Sequence, residues 1–134
     1  MRLKLTALLP MVLLFVIGSA QALAADLYVI GNLVVALSHE DVKEVYLGEK
    51  QFQGPTRLVP VDNAAANSVF LSRVLHMSGA RYSASWTKKA FRDALNPPDI
   101  KAGDAEVLDF VKRTPGAIGY VTTAPAGVAV IQKY

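Results

Sequence analysis

Residues 57–76 read Arg57-Leu58-Val59-Pro60-Val61-Asp62-Asn63-Ala64-Ala65-Ala66-Asn67-Ser68-Val69-Phe70-Leu71-Ser72-Arg73-Val74-Leu75-His76. Leu58 to Val61 is a short apolar run of strand type, and beyond Ala64 the apolar residues Phe70, Val74 and Met77 recur at helical spacing. Asp62 and Asn63 lie between the two, and either can cap a helix by accepting hydrogen bonds from its first free N–H groups. The stretch therefore predicts a strand, a tight turn, and a helix whose N-terminus faces the strand's carboxyl end. In open α/β sheets ligands bind at that edge. Free N–H groups at a helix start suit an anion, and Ala64, Ala65 and Ala66 would let one approach the backbone closely. The candidate site is thus Asp62, Asn63, Ala64, Ala65, Ala66 and Asn67. The same pattern also serves as a plain cap, and an aspartate there puts negative charge where an anion would sit.

Working outward, the N-terminus does not belong to the fold. Arg2 and Lys4 make a basic start, Leu5 to Ile17 is a nearly unbroken apolar run, and Ala22-Leu23-Ala24 fits a cleavage site. The expectation is a cleavable signal peptide over residues 1–24 and export to the periplasm, with an uncleaved anchor as the alternative. The mature chain, Ala25 to Tyr134, has the length of one domain of about 110 residues. Without Arg2 and Lys4 the formal charge falls from +3 to about +1, which does not suggest a nucleic-acid partner. No cysteine is present, so the exported domain must be held by its apolar core and carries no lipid at a cysteine.

Upstream of the central stretch, Leu27 to Ile30 is strand-like and Leu33 to Leu37 could extend it. Ser38 and Asp41 have capping-box spacing, and Val42, Val45 and Tyr46 form the buried stripe of a helix closed by Gly48. Glu49 to Thr56 reads as a polar loop with Phe52 tucked onto the core. Downstream, Ser83 or Ser85 is placed to cap a helix with Trp86, Ala90, Phe91 and Ala94 on one side and Lys88, Lys89 and Arg92 on a solvated side. Asn96-Pro97-Pro98 ends it. Asp104 is placed to cap a further helix with Val107, Leu108 and Val111 as its stripe. Two strands follow, over Ala117 to Val121 and Val128 to Ile131. The order β, α, β, α, α, α, β, β predicts an α/β fold, a small mixed sheet flanked by helices.

His39 and His76 fall on different helices, and no cysteine accompanies them, so neither a metal set nor a cofactor is expected. No nucleophile elbow or phosphate-cradling glycine loop occurs, so no catalytic residues are assigned and the chain is expected not to be an enzyme.

Several stretches together carry a resemblance. Leu37-Ser38, then Val45-Tyr46-Leu47-Gly48-Glu49-Lys50, the strand-to-helix junction with Phe70 and Val74-Leu75, then Trp86, Phe91 and Pro97-Pro98, and finally Val111 and Pro115-Gly116-Ala117-Ile118-Gly119-Tyr120-Val121 follow one another in order. In this the mature chain resembles the phosphate-type periplasmic solute-binding proteins of ABC transporters. Full members have two lobes that close on phosphate, and this chain resembles a single such lobe. The family's Arg-x-Asp-Gly-Ser-Gly-Thr junction is matched at Asp62 and Phe70, but Pro60 stands in place of the arginine, Asn63 of the first glycine, and Ala64 to Ala66 of Ser-Gly-Thr. Loss of a guanidinium and two hydroxyls removes charge-assisted bonds of about 1.5 to 3 kcal/mol each. The resemblance implies weak binding of a phosphate-like anion by backbone N–H groups, with Asn63 and Asn67 as side-chain donors. The alternative is an interaction or sensor module that binds no solute and docks on a membrane transporter, a sensor, or a second copy as a homodimer.

Overall fold

The computed structural model describes residues 26–32 and 36–134. The expected signal peptide and most of the proposed extension after Leu33 lie outside these residues. Five strands form one mixed sheet: β1 (Tyr28–Gly31), β4 (Val59–Asn63), β5 (Asp99–Lys101), β6 (Ala117–Val121) and β7 (Ala129–Lys133), in the order β5-β4-β6-β1-β7. β4 runs parallel to both β5 and β6, while β1 is antiparallel to β6 and β7. The sheet's parallel half therefore gathers three carboxyl ends, Asn63, Lys101 and Val121, on one edge. A separate hairpin, β2 (Phe52–Gln53) and β3 (Thr56–Arg57), turns through Gly54 at a φ of 57° and Pro55.

Among the described residues four helices cover both faces: α1 (His39–Tyr46), α2 (Asn67–Phe70), α3 (Gly79–Asp93) and α4 (Asp104–Arg113). α2 continues into a π-helical turn over Leu71–Leu75, which ends at His76 in the left-handed region. Alternation along β6 divides the core. Ile118 and Tyr120 point to the layer of α1, α2 and α3, with Val45, Tyr46, Phe70 and Trp86. Ala117 and Val121 point to α4, with Ile30, Val61, Val107 and Val111. Gly119 is required there because a Cβ at that position would sit 2.5 Å from a Val107 methyl.

The expected α/β class is what the structure has. α1 starts as predicted: Ser38 Oγ accepts from the Asp41 N–H and Asp41 accepts from the Ser38 N–H, both at 3.0 Å. Other expectations are corrected. Phe52 is 53% exposed on its hairpin instead of tucked inward. α3 begins at Gly79 with Ser78 as its cap, accepting from the Arg81 N–H, so neither Ser83 nor Ser85 caps it. Phe91 is 89% exposed and Ala90 and Ala94 are exposed with it, so the apolar side expected for α3 is buried only at Tyr82 and Trp86. Gly103, not Asp104, is the cap of α4.

Candidate functional site

At the carboxyl edge of β4 the strand's last residues turn inward. Asp62 is 5% exposed, and its two carboxylate oxygens accept from different hydroxyls, Tyr120 at 2.8 Å and Tyr82 at 2.9 Å. Tyr120 stacks on Phe70, with ring centroids 3.9 Å apart, and accepts from the Asn67 amide at 3.0 Å. Burial pushes the Asp62 carboxyl above its ordinary value of 3.8, and the hydrogen bonds from Tyr120 and Tyr82 oppose that rise. Burial, reinforced by the charge of Asp62, pushes both tyrosine hydroxyls well above the ordinary phenol range. Both stay protonated donors across the whole neutral range. Asp62 is therefore not a helix cap.

Asn63 does the local work instead. Its side-chain oxygen accepts from the Ala65 N–H at 3.1 Å, an Asx turn, and its carbonyl accepts from the Ala66 N–H at 3.1 Å. The Ala64 N–H donates across to the Lys101 carbonyl at 2.8 Å, and the residues after β4 form a turn before α2 starts at Asn67. All three backbone donors expected to face an anion are thus engaged inside the chain. Of the expected side-chain donors, Asn63 gives its amide to Asp104 at 2.8 Å and to the Tyr120 carbonyl at 3.0 Å, and Asn67 gives its own to Tyr120. The six residues expected from the sequence do come together, but as a hydrogen-bonded floor and not as an open anion nest.

Asp104 completes that floor. It accepts from the Asn63 amide, and from the Thr122 N–H, Thr122 hydroxyl and Thr123 hydroxyl at 3.0, 2.8 and 3.2 Å. Partial burial raises its pKa, but the bonds from Thr122 and Asn63 outweigh this and hold it below the ordinary 3.8. Asp104 ties the ends of β4 and β6 to the start of α4.

Above the floor a groove of about 720 Å³ opens between α3 and the approach to β5. Asp62, Ala64 and Asn67 lie at its base, Tyr82, Trp86 and Phe91 on the α3 side, and Pro97, Pro98 and Ile100 opposite. Ile100 is 72% exposed, so with Phe91 the rim presents large apolar side chains to solvent. The basic side chains Arg81, Lys88, Lys89 and Arg92 line a separate depression on α3, and the Lys89 ammonium lies 5.5 Å from the Trp86 ring centroid. Sequence reasoning missed Tyr82, Tyr120 and Asp104. The available signal was a tyrosine at an apolar position of its element, which needs a buried acceptor, and a carboxylate at the end of a neighbouring strand can supply one.

His39 and His76 are both exposed, the His39 ring lying edge-on to Tyr134 with centroids 4.8 Å apart. Among the described residues no cluster of metal-ligating side chains occurs and no helix is long and apolar enough to cross a membrane. No family model matches the chain, and no curated protein is significantly similar to it.

Proposed function

We propose that this chain is an exported, non-enzymatic lobe of the phosphate-type solute-binding class found with ABC transporters, and that it binds its ligand at the carboxyl edge of β4 and β5. The observation that carries this reading is the groove over Asp62 and Asn67, which opens at the strand-to-helix junction where α/β sheets hold ligands. The mixed sheet with helices on both faces is compatible with a single lobe of that class.

Phosphate itself is a weak ligand in this reading. The N–H groups of Ala64, Ala65 and Ala66 would have to leave their partners to meet it, and the groove they border carries the Asp62 carboxylate. A second reading, a periplasmic interaction or sensor module, is favoured by the exposed Phe91 and Ile100 on the rim.

Calorimetric titration of the purified protein with phosphate, and separately with sulfate, tests the first reading. The expected outcome is heat that saturates only in the millimolar range and does not discriminate strongly between the two anions. Specific micromolar phosphate binding would show that the turn opens to a strong anion site. Recovery of the protein from the periplasmic fraction with Ala25 at its N-terminus tests export, and cytoplasmic retention would refute it.

A further inference from the structure

Resting on the reading of this edge as the binding edge, we infer that the groove takes an amphiphilic organic cation: an ammonium head toward Asp62 and an apolar body along Trp86, Phe91 and Ile100. Three observations carry it. Among the described residues Asp62 is the one charged residue in the lining of the groove, and it is a carboxylate. Its two oxygens each accept one tyrosine hydroxyl, which leaves acceptor capacity on both. Among the described residues no lysine or arginine forms an ion pair with it.

The rest of the groove fits the body of such a ligand. Trp86 and Phe91 offer aromatic surface, Pro98 and Ile100 aliphatic surface, and Tyr82 joins the wall to the carboxylate. Aromatic faces also attract a cation that passes over them. The basic residues Arg81, Lys88 and Arg92, which would repel it, are on the far side of α3; Lys89 already holds its ammonium 5.5 Å from the Trp86 ring centroid, so the cationic head belongs at Asp62 and not over Trp86. An anion would meet the opposite conditions, a buried negative charge at the base and, among the described residues, no basic side chain in the lining.

Trp86 is the chain's single tryptophan and lines the groove, so its fluorescence reports occupancy. The purified protein is titrated with 4-phenylbutylammonium and with 4-phenylbutyrate, which share a body and differ in the sign of the head. The ammonium is expected to bind at least about tenfold more tightly than the carboxylate. Asp62→Asn is expected to remove that preference, with thermal melting confirming that the variant is folded. Phe91→Ser, at an exposed position, is expected to weaken the ammonium several-fold and provides a second test if Asp62→Asn does not fold. Equal binding of the two probes, a preference for the carboxylate, or no response to either overturns the inference. A Trp86 response to inorganic phosphate but not to the ammonium overturns the cation alone and leaves the edge as a binding site. No response to any of the three removes the edge as well.

Discussion

Asp104 shows how one side chain can hold the carboxyl edge of a sheet together. Four hydrogen bonds, from Asn63, twice from Thr122 and from Thr123, converge on its two oxygens. Hydrogen bonds to a charged group contribute about 1.5 to 3 kcal/mol each when well formed, and partial exposure reduces this here. Asp104→Asn is therefore expected to cost about 2 kcal/mol at neutral pH, because an amide replaces one acceptor oxygen with a donor facing donors. The folded carboxyl titrates below its ordinary 3.8. Its stabilisation is thus complete above that value and is lost as pH falls through the lower folded value. The gap in melting temperature between parent and variant, followed from pH 7 downward, should stay constant to about pH 4 and close below it. A gap independent of pH would mean that the charge of Asp104 contributes nothing. In the sequence, Asp104 followed by an apolar stripe looks like a cap. Its true partners lie 18 and 41 residues away, beyond any local pattern.

Elements were legible where local chemistry and tertiary packing agree. α1 has both, a reciprocal cap at Ser38 and Asp41 and a stripe of Val42, Val45 and Tyr46 that is buried as expected. α3 departs from its pattern because only Tyr82 and Trp86, one turn apart, are buried, while the apolar residues after them are exposed. β5 and the β2–β3 hairpin were not legible, since strands of three and two residues carry too little alternation to register. The end of α3 offers a direct test. Ala94 closes it at a φ of 52°, its N–H donating to the Lys89 carbonyl, a conformation that costs a residue with a Cβ. Ala94→Gly should therefore stabilise the protein by about 0.5 to 1 kcal/mol, the gain being reduced by the greater freedom of glycine in the unfolded chain. Chemical denaturation measures this, and a loss of stability would mean that the helix does not end there.

At the scale of the whole molecule, three parallel strands deliver their carboxyl ends to one edge, α4 seals one face, and α1, α2 and α3 cover the other. The strand-turn-helix junction followed from sequence, because a strand, a turn and a helix can meet in few ways. The partners of its polar groups did not. Whether an N–H group is free depends on long-range partners such as the Lys101 carbonyl, and whether a carboxylate is buried depends on Tyr82 and Tyr120 arriving from other elements.

The most direct test of the account is an amide chemical-shift titration of the isotopically labelled protein, first with phosphate and then with 4-phenylbutylammonium. The account predicts that the ammonium shifts Ala64, Asn67, Tyr82, Trp86 and Phe91, which border the groove, and that phosphate produces no saturating change below the millimolar range. Shifts confined to surfaces away from the groove, or micromolar saturation by phosphate at Ala64, Ala65 and Ala66, would contradict it.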